Sequence, residues 1–254
     1  MGKLRFLFAL WMAKLSVPAL KITRHNGTDF PGTLALKLCP DFLKYVGRPK
    51  TIIAVTGTNG KTTVSNLLAD TLEKAGHRVL INRAGSNVAS GIATAFLKGC
   101  DLAGRVKNYD MAVLEVDERS SVRVYPYITP DYIAVTNLFR DSIMRNAHAE
   151  FIADIISRSV PASSRLVLNA DDLISCGLAP ENERVYFGID RLPTDTVECV
   201  NHINDVRICP SAPGSCAMNT AATTTLAGPC ARTAASTLRT ATIWPPTWIS
   251  PGVP

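Results

Sequence analysis

Residues 51–63, TIIAVTGTNGKTT, constrain the fold of this chain more than any other stretch. The first five residues are apolar and mostly β-branched, which is typical of a strand buried in a parallel sheet. Gly57 and Gly60 follow in a short loop, and an amphipathic helical pattern begins directly after them. Glycines between a strand and a helix let backbone N–H groups approach a phosphate, so this stretch predicts an anion-binding loop.

The residues of this loop predict a polyphosphate site. Lys61 is placed to reach β- and γ-phosphates, and the hydroxyl of Thr62 is placed to bind Mg²⁺. The predicted nucleotide-binding residues are Thr58, Asn59, Gly60, Lys61, Thr62 and Thr63. The G-x-x-x-x-G-K-T pattern is incomplete, because its first glycine would fall at Val55. A glycine-lysine turn without a ligand is the alternative, which the flanking strand and helix patterns disfavour.

Strand and helix patterns alternate from residue 51 to residue 189. The further strand-like segments are RVLI (78–81), MAVLEV (111–116), YIAVTN (132–137), RLVLN (165–169) and RVYFGI (184–189). Helical patterns lie between them, such as EFIADIISR at 150–158. This alternation predicts a three-layer α/β domain with a largely parallel sheet that carries the phosphate-binding loop.

A second feature is the acidic end of the segment VLEVDE, which contains Glu115, Asp117 and Glu118. In open α/β sheets, ligands bind beyond the carboxyl ends of the strands. A carboxylate at that place can hold the Mg²⁺ that bridges β- and γ-phosphates. We predict that Glu115 has this role. The alternative is a set of solvated acids with no ligand.

Composition excludes several classes of protein. The net charge of +6 over 254 residues is mild and the basic residues are scattered, so we expect no nucleic-acid partner. Seven cysteines, an odd number, do not suggest a disulfide framework and fit a reducing cytoplasm. Hydrophobic residues make up 46% of the chain, which is ordinary for a globular protein with a sizeable core.

The first fifty residues are predicted to form an N-terminal helical segment. Lys3 and Arg5 precede an apolar run from Phe6 to Ala13, which Lys14 interrupts. The run is too short to span a bilayer, and no clear small-x-small cleavage site follows it. We expect a helix packed on the body of the protein. Peripheral contact with the inner face of the cell membrane is the alternative.

Several motifs, taken in order, resemble the central ATP domain of the Mur ligases, which form amide bonds in peptidoglycan precursors. They are VTGTNGKTT (55–63), the strand that ends in Glu115, AVTNLFRD (134–141) and LVLNADD (166–172). More narrowly, NGTDFPG (26–32) and NRAGSNVASGIATAFL (82–97) are similar to the MurT group, the synthetase subunits of lipid II isoglutaminyl synthase. The resemblance runs from about residue 1 to residue 210 and implies an incomplete Mur ligase central domain.

The resemblance implies an ATP-dependent carbon-nitrogen ligase in peptidoglycan synthesis. In that family, the γ-phosphate of ATP is transferred to a substrate carboxylate, and an amine attacks the acyl phosphate. For the MurT group, the carboxylate is the α-carboxyl of D-glutamate in the lipid II stem peptide. The product is D-isoglutamine, and the ammonia comes from a GatD-like glutamine amidotransferase partner. These implications place the reaction in the cytoplasm, with lipid II at the membrane surface.

Site residues follow from the resemblance position by position. Lys61 and Thr62 serve phosphate and Mg²⁺, Glu115 serves Mg²⁺, and Asn169 and Asp172 help to hold the nucleotide. Without the resemblance, the last two would be a polar turn after a strand. His148 is left out of the metal ligands, because a solvated histidine at a helix start is an equally good interpretation. The catalytic residues themselves are expected in a C-terminal domain that this sequence lacks.

The last part of the chain differs from the rest, since residues 211–254 contain no Asp, Glu or Lys. MurT-like chains carry a zinc ribbon built on two C-x-x-C pairs, in which four thiolates hold Zn²⁺. RICP (207–210) resembles the start of the first pair, which makes Cys209 a remnant zinc ligand. Ala212 stands where the second cysteine is expected. Zinc is therefore implied for an intact parent and is not expected in this chain.

A frameshift between about codon 209 and codon 214 would explain this tail. In a shifted reading frame, the codons of residues 229–236 permit the peptide LCPDCGF, which contains a complete C-x-x-C pair. This pair would lie about twenty residues after Cys209, a spacing that fits a zinc ribbon. Genomic or RNA sequence across the interval tests this hypothesis. The alternative is an Ala/Thr/Pro-rich disordered arm.

The sequence thus predicts a helical segment at 1–50, an incomplete Mur ligase central ATP-binding domain at 51–208, and an out-of-register or disordered tail at 209–254. A full-length parent would be an amide-forming ligase subunit, and this chain alone is expected to be inactive. Three alternatives remain: a folylpolyglutamate-synthetase-like ligase, a non-catalytic nucleotide-binding fragment, and a misfolded product that would show no cooperative unfolding.

Overall fold

A computed structural model describes residues 2–22, 29–83, 86–138 and 149–188. The helices are α1 Gly2–Ile22, α2 Phe30–Leu38, α3 Phe42–Tyr45, α4 Lys61–Lys74, α5 Ala89–Gly99, α6 Ser121–Val124, α7 Ala149–Ser159 and α8 Leu173–Cys176. Three helices, α1 to α3, lie in the described part of the first fifty residues, and residues 46–50 lead from α3 to the first strand without a helix. His148, Cys209 and the tail at 209–254 lie outside the described residues.

Six strands form one sheet in the order β2-β3-β1-β4-β5-β6, and all five neighbouring pairs are parallel. The strands are β1 Thr51–Thr56, β2 Val79–Ile81, β3 Met111–Glu115, β4 Tyr132–Val135, β5 Arg165–Asn169 and β6 Arg184–Phe187. Each coincides with one of the segments predicted from the sequence. The predicted three-layer α/β fold with a parallel sheet is therefore confirmed.

Helices cover both faces of this sheet. On one face, Ala69 of α4 packs with Val55, Val79 and Val113 from three neighbouring strands. The larger core lies on the other face, where the N-terminal helices and α5, α6 and α7 meet the strands. Its fully or nearly fully buried side chains include Phe6, Phe42, Phe96, Val124 and Ile156. Because successive side chains of a strand point to opposite faces of the sheet, one strand contributes different residues to the two cores.

Helix α4 follows the phosphate loop, and the apolar spacing in its sequence does not by itself tell which of its side chains are buried. The helix ends at Lys74, and Gly76 adopts a left-handed φ of 91° just beyond it, as expected for a glycine after a helix. The side chains that α4 buries are Ser65 and Ala69. Leu67 remains 66% exposed, although its spacing is typical of an apolar face.

The order of the strands places a topological switch point at the carboxyl end of β1. From β1 the chain crosses to β2 and β3 on one side of the sheet, and then to β4 on the other side. Neighbouring loops diverge at such a point and leave a crevice in which α/β proteins bind ligands. The loop with Lys61 begins at this crevice.

Candidate nucleotide-binding site

Two glycines shape the loop between β1 and α4, for different physical reasons. Gly57 has a φ of 125°, and a Cβ there would lie 2.3 Å from Oγ1 of Thr136 and 2.8 Å from the carbonyl oxygen of Asn137. Gly60 has a φ of 80°, and a Cβ there would meet no atom within 4 Å. A glycine is therefore needed at position 57 because the segment after β4 comes too close for a Cβ. At position 60 a glycine is needed because the backbone is left-handed, although the space beside it is open.

The segment after β4 holds this loop in place. The N–H of Thr58 donates to the carbonyl oxygen of Asn137 at 2.7 Å, and the N–H of Asn59 donates to Oδ1 of the same residue at 3.0 Å. The hydroxyl of Thr136 donates to the carbonyl oxygen of Asn59 at 2.7 Å. Three hydrogen bonds across the switch point thus fix a loop of four residues.

The loop leads into the N-terminus of α4, which is built for an anion. The first backbone N–H that donates within the helix is that of Val64, which bonds to the carbonyl oxygen of Gly60 at 2.9 Å. By helix geometry, the N–H groups of Lys61, Thr62 and Thr63 lie in the first turn and have no partner inside the helix. Thr62 and Thr63 are exposed. These N–H groups and the positive end of the helix dipole favour a phosphate here.

Lys61 turns back over the loop and forms an ion pair. Its Nζ donates to Oε1 of Glu118 at 3.1 Å, to the carbonyl oxygen of Thr58 at 3.2 Å, and to the carbonyl oxygen of Gly57. The side chains of Lys61 and Glu118 are 13% and 6% exposed. A lysine that has three oxygen partners and remains partly accessible can exchange some of them for phosphate oxygens.

Glu118 lies in a mostly desolvated environment. Burial raises the pKa of its carboxyl group above the ordinary value, although the hydrogen bond and charge of Lys61 act in the opposite direction. Tyr125 lies nearby and is almost completely buried, and burial together with the charge of Glu118 raises its pKa. Its hydroxyl has no hydrogen-bond partner among the described residues. The Lys61–Glu118 pair therefore lies at the edge of a buried, poorly solvated region.

Glu115, the predicted Mg²⁺ ligand, ends β3 at the same edge of the sheet. Its carboxylate is buried and accepts a hydrogen bond from Nδ2 of Asn87 at 3.2 Å. Asn82 fixes the backbone around it, accepting from the N–H of Glu115 at 2.9 Å and donating to its carbonyl oxygen at 2.8 Å. The carboxylate is thus held in one place, with capacity to accept further bonds.

Asn169 is the last residue of β5 and Asp172 follows that strand, and the polar groups of both bond to the local backbone. Nδ2 of Asn169 donates to the carbonyl oxygen of Thr136 at 2.8 Å, which ties β5 to the segment that supports the phosphate loop. Asp172 is the N-cap of α8 and accepts from the N–H of Ile174 at 3.0 Å. Its other carboxylate oxygen accepts from the N–H of Leu138 and from the hydroxyl of Ser175. A nucleotide contact by Asp172 stays a prediction.

The arrangement fits ATP and Mg²⁺ in its chemistry. Open space above Gly60, the helix N-terminus and Lys61 together provide donors and positive charge for a polyphosphate. Thr62 and Glu115 offer oxygen atoms, which Mg²⁺ prefers. No group of three or more His, Cys, Asp and Glu side chains in the described ranges could hold a metal ion by itself. A Mg²⁺ ion here would depend on phosphate oxygens and water for its remaining ligands.

Several residues of this site were not predicted from the sequence. Asn137 supports the loop from 78 positions away, and Glu118 pairs with Lys61 from 57 positions away. Asn82 and Asn87 hold Glu115 from the loop after β2. A signal was present, because polar residues follow β2, β3 and β4, whose carboxyl ends lie at the same edge of the parallel sheet. The sequence does not reveal which of these side chains meet.

Comparison with known proteins agrees with this geometry. The family model of the Mur ligase middle domain matches residues 55–198, which include the phosphate loop and five strands of the sheet. The chain belongs to the Mur ligase family.

Among curated Mur ligase relatives, the chain is similar to "Lipid II isoglutaminyl synthase (glutamine-hydrolyzing) subunit MurT". It is 32% identical to the protein from Staphylococcus aureus (strain COL) over 206 residues, which cover 80% of this chain and 46% of that protein. It is 33% identical to the one from Streptococcus pneumoniae over 193 residues, which cover 74% and 42%. The chain therefore spans less than half the length of these relatives.

Solved structures of Mur ligases resemble the chain at lower identity. MurF from Acinetobacter baumannii is 19% identical, with a TM-score of 0.48 over 61% of this chain and 35% of that protein. MurF from Thermotoga maritima, solved in complex with ADP, is 18% identical with a TM-score of 0.45, covering 64% of this chain and 37% of that protein.

Proposed function

We propose that this chain is the nucleotide-binding part of an ATP-dependent, amide-forming ligase subunit of the MurT type. One observation carries the proposal. The partly buried amine of Lys61 lies against a glycine loop and a helix N-terminus at the switch point of a parallel sheet. This arrangement suits polyphosphate better than other small ligands, because it combines backbone donors with the positive charge of a lysine.

The proposed substrate is the D-glutamate α-carboxylate of the lipid II stem peptide. A carboxylate is a poor electrophile, so its phosphorylation by ATP would give an acyl phosphate with a good leaving group. Ammonia would then attack the acyl carbon, release phosphate and leave D-isoglutamine. A GatD-like glutamine amidotransferase would supply the ammonia by hydrolysing glutamine. The names of the MurT relatives mention both lipid II and the hydrolysis of glutamine, which supports this substrate and this source of ammonia.

Within this reaction, the task of the described residues is to bind and orient ATP. Lys61 would leave Glu118 and bind β- and γ-phosphate oxygens, while the loop N–H groups and Thr58, Asn59, Gly60 and Thr63 enclose the phosphates. Thr62 and Glu115 would hold Mg²⁺, which neutralises charge on the phosphates. Asn169 would act mainly through Thr136, and Asp172 through the backbone of Leu138. Both residues would position the loops that line the nucleotide.

The proposed organisation keeps the predicted boundaries. Residues 1–50 would form a helical segment, residues 51–208 an incomplete central ATP-binding domain, and residues 209–254 a tail in place of a zinc ribbon. Zinc would belong to an intact parent, with Cys209 as one remnant ligand. The reaction would take place in the cytoplasm, at the inner face of the membrane that carries lipid II. Among the described residues, no helix is long and apolar enough to cross that membrane.

Binding of ATP by the chain tests the nucleotide site directly. We expect Lys61→Ala to weaken MgATP binding by about a hundredfold, because a charged contact to phosphate is worth roughly 3 kcal/mol. Lys74→Ala, at the other end of α4, is the matched control and should bind like the parent. Isothermal titration calorimetry measures both. Equal affinity in parent and Lys61→Ala would remove Lys61 from the site.

Turnover tests the ligase part separately. A version with the frame restored after codon 209, co-expressed with a GatD-like subunit, should amidate lipid II in a glutamine- and ATP-dependent way, and Lys61→Ala should abolish this. Mass spectrometry of the stem peptide detects the loss of about 1 Da for each carboxyl converted to amide. ATP binding without any turnover would favour the alternative, a non-catalytic nucleotide-binding fragment.

A further inference from the structure

Helix α1 carries two apolar faces, and only one of them is buried. Phe6, Ala9, Leu10 and Ala13 pack into the core and are at most 4% exposed. A second set of large apolar side chains lies in solvent. Its members are Leu4 (76% exposed), Phe8 (55%), Trp11 (50%), Met12 (41%) and Leu15 (66%). We call this second set the outer α1 face.

The outer α1 face is continuous along the helix. Its residues recur at intervals of four, three, one and three positions, which places them on one side of an α-helix. The buried set recurs at three, one and three positions, on the opposite side. Leu102, which is 68% exposed, adjoins the outer face, because its carbonyl oxygen accepts a hydrogen bond from Nε1 of Trp11 at 2.9 Å. An exposed apolar stripe of this size is unusual in a soluble monomer and marks an interaction site.

Helix α1 is firmly attached to the rest of the protein, so this face has a fixed position. Nε of Arg5 donates to the carbonyl oxygen of Leu38 at the end of α2, at 2.7 Å. Nζ of Lys14 donates to the carbonyl oxygens of Leu97 and Cys100 at the end of α5, each at 2.7 Å. Cations at helix C-termini are favourable, because they satisfy the last carbonyls and the negative end of the dipole.

The charged residues of α1 are all basic, and the acid next to Leu102, Asp101, is paired with Arg105. Residues 1–28 contain five basic residues and no acidic residue; the basic ones are Lys3, Arg5, Lys14, Lys21 and Arg24. Lys3 and Arg5 are exposed. On a helical projection Arg5 lies on one flank of the outer face, and Lys3 and Lys14 lie on the other. An apolar stripe of Trp, Phe and Leu flanked by cations is typical of helices that lie in the plane of an anionic membrane surface.

We propose that the outer α1 face docks on an anionic phospholipid bilayer. The aromatic and aliphatic side chains would enter the boundary between headgroups and acyl chains, and Lys3 and Arg5 would contact lipid phosphates. The indole N–H of Trp11 already has a protein partner, so burying the ring in lipid leaves no donor unsatisfied. Docking of this kind does not depend on the phosphate loop, and it goes beyond the proposed ligase activity.

Vesicle sedimentation with the full chain tests the proposal. Phosphatidylcholine vesicles with and without phosphatidylglycerol are the probes. The chain should sediment with the anionic vesicles, and added salt should release it. A triple variant with Phe8→Ser, Trp11→Ser and Leu15→Ser should bind the vesicles at least about tenfold more weakly. Each substitution removes an apolar side chain whose transfer from water to an apolar phase is favoured by more than about tenfold. The matched control is Leu67→Ser, Val122→Ser and Phe151→Ser, three exposed apolar residues on other helices.

Two companion measurements make each outcome decisive. Far-UV circular dichroism and MgATP titration of the triple variant should match those of the parent, which shows that a loss of vesicle binding is not a loss of folding or of the nucleotide site. Equal binding by the parent and the triple variant, or no binding by the parent, would overturn the proposal. A dimer in gel filtration that the triple variant converts to a monomer, without vesicle binding, would assign the face to a second copy of the chain instead.

Discussion

Glu118 affects the phosphate loop through its ion pair with Lys61. Its carboxylate binds Lys61, the cation that the phosphates of a nucleotide would need. Glu118 and phosphate therefore compete for the same amine. Because burial raises the pKa of the Glu118 carboxyl group, the outcome of this competition depends on pH. At higher pH the ionised carboxylate retains Lys61, and as the pH falls through the raised pKa the neutral acid releases it.

Glu118→Gln tests this competition at the scale of one residue. We expect the variant to bind ATP about three- to tenfold more tightly, since a neutral amide holds Lys61 less strongly than a carboxylate. The affinity of the parent should rise as the pH is lowered, and the variant should lack that part of the rise, because the phosphates titrate alike in both. Calorimetric titrations between pH 5 and 8 measure the difference. Identical pH profiles would contradict the competition.

At the scale of elements, the loop between β1 and α4 depends on its two glycines unequally. Gly57→Ala would add a Cβ within 2.8 Å of two atoms of the neighbouring segment and also strain the backbone, whereas Gly60→Ala would only strain the backbone. We expect Gly60→Ala to lower the free energy of unfolding by about 1 kcal/mol and Gly57→Ala by about 3 kcal/mol or more. Urea denaturation of both variants provides the comparison. Equal losses would show that Thr136 and Asn137 move aside.

At the scale of the whole molecule, burial protects the thiols that the structure describes. Cys39, Cys100 and Cys176 are free cysteines, and burial raises the pKa of each thiol, for Cys39 and Cys176 to about 11. Hydrogen bonding and the negative charge of Asp41 also raise the pKa of Cys39. A pKa of about 11 leaves only about one thiol in a thousand ionised at pH 8, and the thiolate is the reactive form.

We therefore expect these three cysteines to react with iodoacetamide at pH 8 at least about a hundredfold more slowly in the folded chain than in urea. Peptide mass spectrometry measures the modified fraction at each position. Modification should speed up as the pH rises, because the thiolate fraction grows. Rapid alkylation of Cys39 in the folded chain would show that α2 opens readily, since this thiol lies at the end of that helix.

The fold of the whole molecule followed from local patterns, and much of the site did not. Short runs rich in apolar residues predicted all six strands, because strands that are covered on both faces of a sheet consist mainly of such residues. The edge strand β6 is only partly buried but has the same kind of sequence. The loop and Lys61 were predicted because their spacing is local. The partnership of Lys61 with Glu118 depends on where the backbone leads after β3. The exposed side of α1 was not foreseen either, since apolar periodicity does not state which of two apolar faces meets the core.

The central position of β1 has a consequence for the order in which the protein can form during synthesis. β1 pairs with β3 and β4, both of which are translated later, and its loop is held by Asn137. A nascent chain that has not yet emerged as far as residue 111 therefore presents TIIAV as an unpaired apolar strand, and one edge of that strand stays open until β4 has emerged as well. Such a segment is prone to aggregate and is a natural target for chaperones on the ribosome. The phosphate loop is thus among the first parts of the domain to be translated and among the last to be completed.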